Sequence, residues 1–236
     1  MKKCGQALGR KEGDTNPTSQ ILYPCMQCAD IFYLKADICQ LGKDQRKVNM
    51  LAREYCDKNK KYKKPIIVSH HMLSGMTPPD LSKVDENADQ HEKDVASKMS
   101  KSNPNSAIFM EDTEAMIAKK ISKAYCTPAT DKDENGNKNP ILDYCESIIF
   151  PAKGAFLVER PENNGGNVVY KNYEELRSDY MEAKLHPGDL KPSVARVINE
   201  LVEPVRRHFR EDAYARSLLE QITKWQAEAA NEKKDK

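Results

Sequence analysis

No stretch of this sequence approaches the roughly 18 consecutive apolar residues that a membrane-spanning helix needs, so no membrane span is expected. The opening Met1-Lys2-Lys3-Cys4-Gly5 turns polar without an apolar run, which reads as the absence of a secretory signal. Cysteine is scattered and odd in number, at positions 4, 25, 28, 39, 56, 126 and 145. Without a secretion signal these read as reduced thiols of a cytoplasmic protein. Cys25 and Cys28 form one C-x-x-C, but no second such pair and no His pair follows at finger spacing. Zinc requires four ligands, so no metal site is expected, and the two cysteines read as small buried helix residues. A strong charge of either sign is missing too: 38 basic against 36 acidic residues leave a net charge of +2, which says little about partners. No internal repeat is visible.

What is present is a 236-residue chain with 39% hydrophobic and 31% charged residues. That composition is polar, yet apolar enough for a core and well clear of the disordered class. Charge is unevenly placed: residues 43–64 hold nine basic and three acidic side chains, residues 77–97 six acidic and two basic. The basic run reads as a solvated helix end and loop, or as a surface for an anionic partner.

The periodicity predicts a helix over 19–35 with Ser19 as N-cap, a strand over 36–41, a helix over 44–58 and a strand at 65–69. The Pro65-Ile66-Ile67-Val68-Ser69 run is that of a buried parallel strand, and the rhythm is that of an α/β domain. Residues 77–102 read as a long loop, 111–125 as an amphipathic helix, 140–150 as a short helix, and 155–160 with 167–171 as a β-hairpin. Beyond Asn172 the chain reads as helical, with an apolar stripe through Val194, Val197, Ile198, Leu201, Val202, Val205 and Phe209 and a kink at Pro204.

Three groups of residues carry chemistry. Lys98-Met99-Ser100-Lys101-Ser102 sets two lysines three apart in a hydroxyl-rich loop, suited to closing over a polyphosphate and offsetting charge on a leaving pyrophosphate. Tyr23, Gln27 and Asp30 fall within about 60° on one helix face. They align a phenol, an amide and a carboxylate, and Gln45 can complete the set. The same spacing also fits an ordinary polar helix face. Gly42-Lys43-Asp44-Gln45 is a strand-to-helix turn where backbone can approach a ligand and a carboxylate can meet ribose hydroxyls; it equally fits a plain glycine turn with an Asp cap.

Together these residues closely resemble the class I tyrosyl-tRNA synthetases of eukaryotic and archaeal type. The resemblance runs through Leu22-Tyr23-Pro24-Cys25-Met26-Gln27-Cys28-Ala29-Asp30, Gly42 to Lys47, KMSKS at 98–102, Tyr125 to Pro128 and His186 to Lys191, in order, over roughly residues 1–225. It implies an α/β fold: the second half of a Rossmann-type catalytic domain over 1–127, a polar insertion at 128–140, a mainly α-helical anticodon-binding domain with a small β-hairpin over 141–226, and a charged tail at 227–236. It implies that Tyr23, Gln27, Asp30 and Gln45 bind L-tyrosine, with Asp30 on the hydroxyl. Gly42, Asp44, His70, Met72, Lys98 and Lys101 are implied as ATP-binding, and the two lysines as catalytic. His70 also reads as an ordinary residue ending a strand. His186 and Asp189 are implied as tRNA-binding, although Asp189 also fits a helix cap before Leu190. The implied reaction is tyrosine–tRNA ligation, with magnesium-bound ATP as a substrate and no tightly held cofactor. The implied partners are L-tyrosine, ATP and tRNA(Tyr), and the implied assembly is a cytoplasmic homodimer when the full catalytic domain is present.

Two departures stand out. Asn164 occupies the place before Gly165-Gly166 where the family carries an aromatic residue for base stacking. The HIGH-like signature, the first strand and most of the connective insertion of the family are not found, so the chain reads as the C-terminal portion of a synthetase with half an active site. The alternative is a catalytically incomplete module that binds tRNA or a protein partner.

Overall fold

The computed structural model describes residues 18–77, 99, 103–131 and 138–232. The chain divides into two compact units, residues 1–74 with 79–98 and residues 75–78 with 99–236.

The first unit contains helix α1 (Thr18–Tyr33), strand β1 (Ile38–Gly42), helix α2 (Arg46–Lys58) and strand β2 (Ile66–His70). The strands are parallel, in register from Ile38 against Ile66 to Gly42 against His70. Side chains alternate across a strand, so Cys39 and Ile67 point to the helix-covered face. There they join Cys28, Ile31, Val48 and Ala52, with Phe32, Ala36 and Leu51 packed around them. The other face carries Ile38, Ile66 and Val68, exposed at 61%, 58% and 45%. The expectation that 65–69 is a buried strand is therefore corrected: helices cover one face of this two-stranded sheet, and among the described residues no element covers its apolar outer face. Two further readings change. Ser19 lies inside α1, which already runs at Thr18. Cys28 is buried but Cys25 is exposed.

The second unit is mostly helical: α3 (Glu114–Lys123), α4 (Pro140–Tyr144), a π turn (Cys145–Ile149), α5 (Phe150–Lys153), α6 (Tyr173–Met181), α7 (Pro187–Glu211) and α8 (Ala213–Glu232). Strands β3 (Phe156–Val158) and β4 (Val168–Tyr170) form the expected antiparallel hairpin. Short polar side chains start these helices: Thr113 Oγ1 accepts from Met116 N, Asn139 Oδ1 from Ile141 N, and Asn172 Oδ1 from Glu175 N. The stripe on α7 is buried at Val194, Val197, Ile198 and Val202 and surfaces at Phe209. The helix continues through Pro204, which is exposed; a proline on the solvent side removes one hydrogen bond without forcing its ring into the core. At the end of α3, Lys191 Nζ donates to the carbonyls of Ser122 and Ala124 at 2.9 and 2.8 Å, placing a cation at a helix C-terminus.

Buried phenols give this unit an alkaline limit. Burial raises the pKa of Tyr144 and Tyr180, and raises that of Tyr170 to about 12. An unfolded phenol ionises near 10, so their stabilisation is complete below that pH and is lost as pH climbs towards the folded values. Tyrosinate absorbance of these residues should therefore rise together with loss of helix, above about pH 10. Gradual ionisation of all ten tyrosines near that pH with the helix signal intact would refute this.

Candidate functional site

The C-terminal ends of parallel strands, where chains turn into the next element, are where open α/β sheets bind ligands. In the first unit β1 ends at Gly42 and passes straight into a 3-10 turn, Lys43–Gln45, ahead of α2. Gly42 has an ordinary extended backbone, φ −61° and ψ 157°. Its lack of a side chain serves space: a β-carbon there would lie 2.6 Å from Asp44 Oδ1 and 3.4 Å from Met72 Cγ.

From Asp44 a hydrogen-bond relay runs to α1. Gln45 Nε2 donates to Asp44 Oδ2 at 2.9 Å, and Gln27 Nε2 donates to Gln45 Oε1 at 2.8 Å. This leaves Gln27 Oε1 buried without a hydrogen-bond partner among the described residues. A buried acceptor left unpaired costs about 1–3 kcal/mol, so this oxygen suits an incoming N–H or ammonium donor. Tyr23 and Asp30 lie a turn to either side of Gln27 on the same face of α1, both exposed. His70 ends β2 in register with Gly42 and is exposed.

The structure thus joins Gly42, Asp44, Gln45, Gln27 and Met72, and keeps Tyr23 and Asp30 aligned with Gln27. Lys98 and Lys101 lie outside the described residues. Met99, the one described member of that string, accepts a hydrogen bond at Sδ from the Tyr144 hydroxyl, 3.6 Å away.

His186 and Asp189 sit at the start of α7 in the second unit. His186, not Asp189, is the cap: its Nδ1 accepts from Gly188 N at 3.0 Å. The capping reading of Asp189 is corrected by this, since α7 starts at Pro187 and Asp189 falls within its first turn. The Asp189 carboxylate instead accepts both its side-chain contacts from Asn164 Nδ2, at 3.1 and 3.3 Å. Gly165 and Gly166 follow with φ of 93° and 69°, the left-handed turn that brings Asn164 back to α7. This Asn164–Asp189 contact lies 25 residues apart in sequence and had no periodic signal. The departure at Asn164 was the one clue to it. His186 also lines an open cleft of about 610 Å³ between α3 and α7, with Lys191 and Arg196, which the sequence did not suggest.

Among the described residues no group of three or more His, Cys, Asp or Glu could hold a metal ion. None of their helices is long and apolar enough to cross a membrane.

Residues 4–97 and 90–203 match the family "tRNA synthetases class I (W and Y)". The chain is 52% identical over 220 residues to tyrosine–tRNA ligase 1, cytoplasmic, of Arabidopsis thaliana, covering 93% of this chain and 52% of that protein. Its fold resembles a tyrosyl-tRNA synthetase of Pyrococcus horikoshii complexed with L-tyrosine, with TM-score 0.75 and 36% identity over 94% of this chain and 60% of that one. It also resembles the Leishmania major tyrosyl-tRNA synthetase in complex with tyrosinol, with TM-score 0.74 and 41% identity, over 95% of this chain and 31% of that one. The chain therefore spans about half the length of the Arabidopsis relative.

Proposed function

Because the chain belongs to the class I tRNA synthetases of the tryptophan and tyrosine group, we propose that it supplies the amino-acid and nucleotide contacts of a tyrosine–tRNA ligase. In this reading tyrosine lies along α1. Gln27 Oε1 and the Tyr23 phenol meet its α-amino group, Gln45 holds Gln27 in place, and Asp30 accepts a hydrogen bond from its hydroxyl. Asp44 meets the ATP ribose in the space that Gly42 leaves free, beside His70 and Met72. Lys98 and Lys101 offset charge on the leaving pyrophosphate as the tyrosine carboxylate attacks the α-phosphate of magnesium-bound ATP. The tyrosyl group then passes to the terminal ribose of tRNA(Tyr), whose anticodon meets His186 and Asp189. Positioning and electrostatics supply most of the first step. The full reaction needs the rest of a catalytic domain, a homodimer is the proposed assembly, and the cytoplasm its proposed location.

The observation that carries the reading is the relay from Asp44 through Gln45 to Gln27, with its unpartnered buried oxygen. It couples a carboxylate fit for ribose to an acceptor fit for an ammonium group.

The test is tyrosine-dependent exchange of labelled pyrophosphate into ATP. It is run on this chain alone and on this chain mixed with the part of the Arabidopsis relative that it does not match. Exchange should appear in the mixture and prefer tyrosine over phenylalanine by on the order of 10⁴. A site that bonds a hydroxyl leaves polar groups unpaired when the hydroxyl is missing; tyrosyl synthetases are the worked example of that rule. Asp30→Ala should erase most of the preference. Equal use of phenylalanine or tryptophan would sink the reading.

The helical unit, with its own core and its His186 and Asp189 cluster, favours one second reading: a module that binds tRNA without activating tyrosine. No exchange in the mixture, with salt-sensitive tRNA binding that survives alanine at Lys98 and Lys101, would select it.

A further inference from the structure

A second face of helix α1 lines a cavity. Tyr23, Gln27 and Asp30 mark one side. Cys25, Cys28, Ala29, Phe32 and Tyr33 lie roughly opposite at 100° per residue. With Leu51, Tyr55 and Tyr62 they line an open cavity of about 540 Å³ between α1 and α2. Its wall is aromatic. Phe32, Tyr55 and Tyr62 meet in a closed triangle, with ring centroids 5.5, 4.8 and 5.8 Å apart and planes tilted by 44–52°. Tyr33 stands beside them, 86% exposed.

The rim is cationic. Residues 58–64, Lys-Asn-Lys-Lys-Tyr-Lys-Lys, hold five lysines and no acid. Lys63 and Lys64 are paired with Asp37 and Asp57 and hold the start of β2. Lys58, Lys60 and Lys61 are exposed, and Lys61 Nζ sits 5.8 Å from the Tyr62 ring centroid. One side chain sets the arrangement: Asn59 Nδ2 donates to the Tyr55 hydroxyl at 3.1 Å, and Asn59 Oδ1 accepts from Lys61 N at 3.3 Å. Rings and lysines are thereby fixed to one turn.

We propose that this aromatic cavity with its lysine rim binds a single-stranded RNA segment, one base stacking on Tyr33 in the cavity and the adjoining phosphates meeting Lys58, Lys60 and Lys61. Exposed rings beside exposed cations are the chemistry that single strands select, since every base has a π face and every link a negative charge. An acidic peptide would satisfy the lysines but leave the exposed ring without a planar partner. The site is separate from the relay at Gln27. The choice of RNA over DNA rests on the tRNA reading above, while the stacking-and-charge chemistry does not.

The experiment is fluorescence anisotropy of a short fluorescein-labelled oligoriboadenylate against the full chain at stepped salt. Tyr33→Ala should weaken binding on the order of tenfold, and Tyr33→Phe should keep it. Alanine at Lys58, Lys60 and Lys61 together should lower the salt slope by about two, from roughly 0.7 per phosphate contact on a single strand. Saturating L-tyrosine with ATP should not displace the oligomer. Tyr33 is too exposed to hold the fold, so circular dichroism of Tyr33→Ala should match the parent. The same variant should leave tyrosine-dependent exchange in the mixed assay unchanged. Intact exchange without oligomer binding overturns this proposal alone. So do binding indifferent to Tyr33→Ala, displacement by ATP, equal binding of polyglutamate, or preference for the oligodeoxyadenylate.

Discussion

Asp112→Ala should lower the stability of the helical unit by about 3–5 kcal/mol, the range for removing one partner of a buried ion pair. Lys120 Nζ lies 2.6 Å from Asp112 Oδ2, with the two side chains only 8% and 2% exposed. The ammonium also donates to the Ala107 carbonyl at 3.0 Å and sits 4.7 Å from the centre of the Phe109 ring. The same Asp112 oxygen accepts from Phe109 N at 2.9 Å, so the carboxylate closes a turn as well as an ion pair. Alanine would leave a cation in the core and a backbone N–H unpaired. Heat unfolding should show a midpoint fall of roughly 6–20 °C, at about 2–4 °C per kcal/mol for a unit of this size. The paired change Asp112→Leu with Lys120→Met should recover much of the loss, because burying two charges is itself expensive. A single variant within about 1 kcal/mol of the parent would show that water reaches the pair.

Gly42→Ala should behave in the opposite way, leaving stability nearly unchanged and damaging ligand binding. The backbone at Gly42 is one any residue adopts. The added methyl would press on Asp44 Oδ1, 2.6 Å from where the β-carbon must go. Displacing that carboxylate breaks its bond to Gln45 and loosens Gln27 beyond it, while the backbone of the turn is kept. A displacement of about 1 Å at a positioned group can lose on the order of 10² in rate. Calorimetry should therefore show ATP affinity down about tenfold or more with the unfolding midpoint kept. Asp44→Ala should give a similar loss, and the double change should add little, as neighbours in one network do. Undiminished ATP binding by Gly42→Ala would remove Asp44 from the proposed nucleotide site.

The two residues differ in how far the sequence revealed them. Gly42 stood out only through the resemblance, because a glycine turn before an acid also fits a plain strand end with a helix cap. Gln27 and Gln45 were legible from their places: one lies on a helical stripe and the other just past a strand end, so the fold had to bring them close. Lys120 and Asp112 gave no sign. A lysine near the middle of an amphipathic helix normally faces water, and only tertiary packing turned this one inward. Asn164 was noticed as a departure, yet its bond to Asp189 depends on a two-glycine turn whose direction no periodicity encodes. Ser19 and Cys25 were misread for smaller reasons: the helix already includes Thr18, and Cys25 lines an open cavity rather than the core. The alternation across β1 and β2 was obscured because Ile66-Ile67-Val68 is apolar at every position, which cannot tell a doubly covered strand from one covered on a single side.

That single-sided sheet has a consequence in cells. Ile38, Ile66 and Val68 present an apolar surface that folding of the described residues does not hide. Chaperones and proteases act on such surfaces, and steady-state abundance follows how long they stay open. Covering that face should therefore lengthen the lifetime of this polypeptide in cells.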